Sequence, residues 1–226
     1  MLRKTSDNAP DMFNASSRRG AGITETHAIL AGGQAGSGRV KNAEAYNTDL
    51  IHTELEQLNA GYTTGSFVGQ YAIFADYVSS SAMDVFAYND NLVKTTTSAF
   101  SKIRTNCGSS CNPNYAIFAG GSSSGTYVDA YDTDLVLHSA PNLSVSRDAP
   151  KGADLGNYAI FGAGSGQRTI EAYDGSLTRT SMTNLSGYYA DGACSTKEYA
   201  FYATMNASLN AIDVYDSELV KQTTLS

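Results

Sequence analysis

The chain has no tryptophan, three cysteines and three histidines in 226 residues, and only 16% of it is charged. Each shortage excludes something. Three cysteines cannot build a disulfide framework. The only close pair, in Cys107-Gly108-Ser109-Ser110-Cys111, has no histidine nearby and so makes no zinc site, though it could close a small disulfide. Cys194 is expected in an inner strand, inert. His27, His52 and His138 show neither metal-ligand nor triad spacing, so no metal and no cofactor is expected. The low charge is unlike a solvated helical surface. Acids outnumber bases to a net charge of −7, with a pI near 4.8, which removes the positive field that nucleic acids and anionic lipids need. The opening Met1-Leu2-Arg3-Lys4-Thr5-Ser6-Asp7-Asn8 lacks the apolar core of a signal peptide, and no stretch reaches membrane-spanning length. The reading is a soluble chain without nucleic-acid partners or membrane insertion.

What the chain does have is repetition. Five phrases, beginning at His27, Tyr71, Tyr115, Tyr158 and Tyr199, read in the manner of Tyr-Ala-Ile-Phe-Ala, and their starts step by 44, 44, 43 and 41 residues. Each is followed by a Tyr-[Asn/Asp] pair at Tyr46, Tyr88, Tyr131, Tyr173 and Tyr215, stepping by 42, 43, 42 and 42. With 15 Tyr and 21 Gly, and few helix-favouring runs, the chain is all-β. A fixed period in the forties predicts a β-propeller, each repeat folding as one four-stranded antiparallel blade.

In the fourth repeat the strands are expected at Lys151 to Leu155, Tyr158 to Phe161, Thr169 to Tyr173 and Leu177 to Ser181. The second strand shows little polar alternation, as suits a sheet covered on both faces. The third alternates: Glu44, Asp129, Glu171 and Asp213 stand two residues before their tyrosines and share a face with them, Phe86 taking that slot in the second copy. Acids recurring in four copies are read as serving the blade. The Tyr-[Asn/Asp]-x-x-Leu segments are read as turns, because Asn and Asp side chains bond nearby backbone.

These residues resemble the Kelch repeat family of β-propellers. The likeness lies in the apolar strand ending in Gly32-Gly33 or Gly120-Gly121, and in the acid-x-Tyr-Asp segments Asp129-Ala130-Tyr131-Asp132 and Asp213-Val214-Tyr215-Asp216, over roughly residues 18 to 226. The wording is closest to Kelch-like arrays of bacterial and phage-encoded surface or tail-associated proteins. The doublet is lost in the second and fifth copies, and the family's fourth-strand tryptophan is absent.

Residues 1–17 read as a leader resembling the end of a preceding repeat, and 18–226 as five repeats, about 18–58, 59–100, 101–143, 144–185 and 186–226. Five blades closing as a monomeric ring are expected, with the fifth packed on the first; the alternative is a section of a longer or multi-chain ring.

Function is sought where the copies differ. The segments between second and third strands, at Gln34 to Lys41, Tyr77 to Ala82, Ser122 to Tyr127, Ser165 to Arg168 and Met205 to Asn210, differ most, while the Tyr-[Asn/Asp] turns hardly vary. Together with the blade-to-blade loops on the same face, they offer Arg39, Tyr62, Tyr77, Arg104, Tyr127, Arg168, Tyr188 and Tyr189 as ligand-binding candidates. Gly33 to Arg39 imitates a phosphate loop but ends in Arg and leads into a strand, and Gly162 to Gly166 fails as a dinucleotide fingerprint for the same lack of a helix. The first reading is a non-catalytic module binding a protein or surface glycan. A lectin is its sharper version, and an enzyme ranks last because the aspartate boxes of sialidase propellers are missing.

Overall fold

The computed structural model describes residues 19–36, 38–122, 125–206 and 209–222. The leader and the last residues of the fifth repeat lie outside the described residues. Strands account for all the regular secondary structure described, arranged as a succession of antiparallel sheets. The first sheet holds β1 (Gly20–Ile23) and β2 (His27–Ala31); after a small hairpin of β3 (Gln34–Ala35) and β4 (Gly38–Arg39) come its β5 (Ala43–Asn47) and β6 (His52–Leu55). The second holds β7 (Thr63–Val68), β8 (Tyr71–Ser79), β9 (Ala82–Tyr88) and β10 (Lys94–Thr97). The third holds β11 (Gly108–Cys111), β12 (Ala116–Ala119), β13 (Val128–Tyr131) and β14 (Leu137–Ser139). The fourth holds β15 (Lys151–Leu155), β16 (Tyr158–Gly162), β17 (Ile170–Tyr173) and β18 (Arg179–Ser181). The fifth holds β19 (Tyr189–Ser195), β20 (Tyr199–Asn206) and β21 (Leu209–Asp216), and beyond β21 Lys221 bridges back to Tyr215.

The repeated phrase gives each sheet two different faces. On the second strand the Ile side chain points one way and the following Phe or Tyr the other. The Ile29 face of the first sheet packs on Phe74, Phe86 and Tyr88 of the second. The Ile73 face of the second packs on Phe118 and Tyr131 of the third, that of Ile117 on Phe161 and Tyr173, and that of Ile160 on Tyr202 and Tyr215. Ile73, Ile117, Ile160 and the phenylalanines after them are fully buried, as their unalternating sequence predicts. Strand contacts join neighbouring sheets through β1 and β7, β7 and β11, β11 and β15, and β15 and β19. Among the described residues the fifth sheet has no such seam with the first, so the expected packing of the fifth on the first is not seen.

A buried tyrosine of the third strand ties each seam. The hydroxyl of Tyr88 donates to Glu56 O (3.2 Å), Tyr131 to Ser98 O (2.6 Å), Tyr173 to Pro141 O (2.9 Å) and Tyr215 to Thr183 O (2.7 Å). Each acceptor lies in the connection that leads into that sheet, so the phenol fills the seam and satisfies a carbonyl that burial would otherwise orphan.

The Gly-Gly doublet has a local cause. Gly120 and Gly121 sit at φ 68° and 108°, and a Cβ on Gly121 would lie 2.5 Å from Thr105 O. The doublet ends the second strand and lets the next connection pass against it, as in Gly121 N to Arg147 O (2.8 Å). Where the doublet is lost the strand runs on: β8 has 9 residues and β20 has 8, against 4 in β12. Tyr77 to Ala82 and the described residues of Met205 to Asn210, expected as loops, are therefore largely strand.

Candidate functional site

Antiparallel pairing brings the starts of first and third strands and the ends of second strands to one edge of every sheet; the Tyr-[Asn/Asp] turns occupy the other. On the turn edge the five copies share one geometry. Asn47, Asn89, Asp132, Asp174 and Asp216 each accept two backbone N–H groups, as Asp132 Oδ1 does from Asp134 and Val136, both at 2.9 Å. The left-handed position falls not on the Asn or Asp but on the leucine three residues later, Leu50, Leu92, Leu135, Leu177 and Leu219, all at φ between 59° and 63°. Repetition here is structural.

The loop edge differs from seam to seam. Arg39, in the β3–β4 hairpin, stacks over the Tyr62 ring at 4.3 Å, and its Nη1 lies 3.5 Å from Tyr77 O. Lys102 lies 5.7 Å from the Tyr127 ring centroid, and Arg168 lies 5.6 Å from that of Tyr188 while its Nε donates to Leu185 O at 2.7 Å. The sequence candidates thus enter three separate cation–aromatic pairs rather than one cluster, one of them completed by Lys102, which the sequence reading did not single out; each is worth about 0.5–1 kcal/mol where exposed. Arg39, Tyr62 and Tyr188 are exposed; Tyr77, Tyr127 and Arg168 are half-buried, Tyr77 against the core of the second and third sheets. A cleft of about 310 Å³ lies among the starts of the first strands on this edge, lined in part by Tyr62, Thr63, Thr105 and Lys151.

One candidate is placed elsewhere. Arg104, read as an exposed loop residue, is 1% exposed. Its Nη1 donates to Asp129 Oδ2 (2.5 Å) and its Nη2 to Phe118 O (3.1 Å), because an acid buried at the seam needs a cation beside it. Tyr189 stands where it was expected: 60% exposed, it opens β19 on the loop edge, opposite Met205 near the end of β20.

The repeated acids are strand fasteners. Asp129 accepts from Ser101 N (3.1 Å) and Glu171 from Ser144 N (3.0 Å) and from Arg147, while Asp213 accepts from Ser186 N (2.6 Å) and Lys221 Nζ (2.8 Å). Glu44 pairs with Arg19 and His52. In the second sheet, where Phe86 holds the acid slot, Asp76 takes over and accepts Ala60 N and Gly61 N, both at 2.8 Å. Burial pushes the Asp76 carboxyl above the ordinary range, the two amide donors pulling the other way. Burial acts upward on Asp213 too, but there Lys221 and Ser186 prevail and hold it below that range. These arginines carry a sequence signal: Arg19, Arg104 and Arg147 stand 25, 25 and 24 residues ahead of their acids.

The cysteines correct two expectations. Cys107 and Cys111 are free thiols, not a disulfide, and Cys194, though in the first strand β19 that meets β15, is exposed beside Phe201. Burial pushes the Cys107 thiol up to about 11, which makes it a poor nucleophile. His138 Nε2 lies 2.7 Å from Asp132 Oδ2 at the turn edge. A wider groove of about 690 Å³ runs there between Tyr115, His138, Pro141 and Arg179, but His138 and Arg179 are engaged with Asp132 and Glu171. Among the described residues no three His, Cys, Asp or Glu side chains converge as a metal site requires. Compared with known protein families and with curated proteins, the chain matches none.

Proposed function

We propose that the five sheets are propeller blades of the Kelch-like kind, five to the chain, and that the chain is a non-catalytic recognition module whose loop edge binds a protein or a surface glycan. The observation that carries this reading is the asymmetry between the edges. One edge repeats the same Asx turn five times, whereas the other presents a different cation–aromatic pair at three of its seams, beside a cleft of about 310 Å³. Tyr and Arg are the side chains that dominate binding hot spots, and a repeated scaffold with individually tailored loops is how such modules diversify. The charged groups best placed for catalysis, Asp129 with Arg104 and Glu171 with Arg147, are buried in holding strands together.

A glycan array probed with the intact chain separates the lectin version from protein recognition. Hydrogen exchange with the strongest array hit, or with a surface protein captured by cross-linking, then locates the contact. Protection is expected around Arg39, Tyr62, Tyr127 and Arg168. Protection confined to the turns at Asn89, Asp132 and Asp174, or turnover of a panel of hydrolase substrates, contradicts the reading.

A further inference from the structure

The four seams are one interface used four times, and each end of the array leaves half of it open. At the fifth sheet the open half is the Ile-type face. Ile212 is 42% exposed, whereas the side chains in its register position in the other sheets, Ala43, Val85, Val128 and Ile170, are at most 3% exposed. Phe201, standing where Ile29, Ile73, Ile117 and Ile160 are wholly buried, is only half-buried, and Ala203 beside it is exposed. At the first sheet the open half is the aromatic-type face. Leu30 is half-buried where Phe74, Phe118, Phe161 and Tyr202 show no exposure, Ala28 is exposed where Ala72, Ala116, Ala159 and Ala200 are buried, and Ile23 is 45% exposed.

Glycine marks the same vacancy. In the third sheet a Cβ on Gly108 would lie 2.6 Å from Pro150 O of the connection into the next sheet, so the seam there needs a bare backbone. Gly192 holds the same register position in the fifth sheet, opposite Ala203 as Gly108 is opposite Ala119, and a Cβ there would meet nothing within 4 Å. The fifth sheet is thus shaped for a neighbour that the described chain does not supply.

We propose that the occupant is a second copy of this chain, docked head to tail: the Gly192, Phe201 and Ile212 face of one copy receives the Ala21, Ala28 and Leu30 face of the next. The two halves differ, so the contact is heterologous, and it closes as a multi-chain ring or continues as a filament. Its chemistry continues the four internal seams, each an Ile-type face against an aromatic-type face. The inference concerns the sheet ends and is independent of what the loop edge binds.

The test is the mass of the intact chain by sedimentation and light scattering across a hundredfold range of concentration. Species at integer multiples of 23.9 kDa are expected, growing with concentration. Gly192→Trp blocks one face and Ala21→Trp the other; neither side chain points into its own fold, and unchanged circular dichroism and melting confirm this. Each variant alone is expected to run as a monomer, and an equimolar mixture as a two-chain species and nothing larger. Ile212→Glu, a surface change, is expected to raise the concentration needed for assembly at least tenfold. A wild-type chain that stays monomeric throughout, assembly that survives both tryptophans, or a mixture that stays monomeric overturns the proposal. A monomer would mean that the two faces cover each other or are covered by the chain's own ends.

Discussion

Replacing Phe118 by alanine tests the seam that repeats through the molecule. Phe118 shows no exposure, lies 5.0 Å from the Phe100 ring and 6.1 Å from Tyr131, and fills the space facing Ile73 of the second sheet. Cutting a buried phenylalanine to alanine removes its transfer free energy and leaves a cavity, together about 3–5 kcal/mol. In a domain of this size each kcal/mol lowers the melting midpoint by roughly 2–4 °C, so a fall of about 6–20 °C is expected. The control is built into the repeat. Leu30 holds the same position on the open face of the first sheet and is only half-buried, so Leu30→Ala, measured at concentrations where the chain is monomeric, is expected to cost less than about 1.5 kcal/mol. Both are read by calorimetry and by urea titration followed by circular dichroism. An unchanged midpoint for Phe118→Ala, or equal losses for the two variants, refutes the assignment of faces.

Three further outcomes follow from named contacts. Tyr131→Phe keeps the ring in its seam but leaves Ser98 O without its 2.6 Å donor, and a loss of about 1–2 kcal/mol in urea is expected. Leu50, 62% exposed at φ 61°, bears left-handed strain with little packing in return, so Leu50→Gly is expected to stabilise by about 0.5–1 kcal/mol; Leu177→Gly, at 8% exposure, is expected to destabilise instead. Asp213 is held below the ordinary carboxylate range, so its contribution to stability is complete above the unfolded pKa of about 3.9 and is lost as pH falls through the lowered folded value. Asp213→Asn is therefore expected to lower the melting midpoint at pH 7 and to flatten its decline in acid.

The features legible in the sequence are those a single repeat specifies alone. The fourth repeat's first strand occupies Lys151–Leu155 as expected and its second runs one residue further, to Gly162, because an apolar core phrase and its flanking turns are local signals. The pairing of each acid with its tyrosine on one face followed from the period of two, and the Tyr46 hydroxyl does donate to Glu44 at 3.2 Å. Long-range features were harder to read. Arg104 looked like a loop cation because its partner Asp129 lies 25 residues on, in the third strand of the same sheet. The loss of the glycine doublet was visible, but its consequence, strands running through the loop edge in the second and fifth repeats, depends on removing a backbone break that glycine alone accommodates. The open ends were illegible because the end sheets carry phrases like those buried at the four seams, and whether such a face is covered depends on the neighbour it meets.

The central claim, that recognition belongs to the loop edge and repetition to the turn edge, is tested most directly by comparing the edges in one binding assay. For the ligand found on the array or by cross-linking, Tyr62→Ala and Tyr188→Ala remove exposed rings and are each expected to cost about 2 kcal/mol of affinity, roughly thirtyfold, with unchanged melting. Asp132→Ala and Asp174→Ala each remove the acceptor of two turn amides and are expected to lower the melting midpoint while leaving affinity intact. Affinity lost through Asp132 and Asp174 in a folded chain, and kept without Tyr62 and Tyr188, would contradict the account.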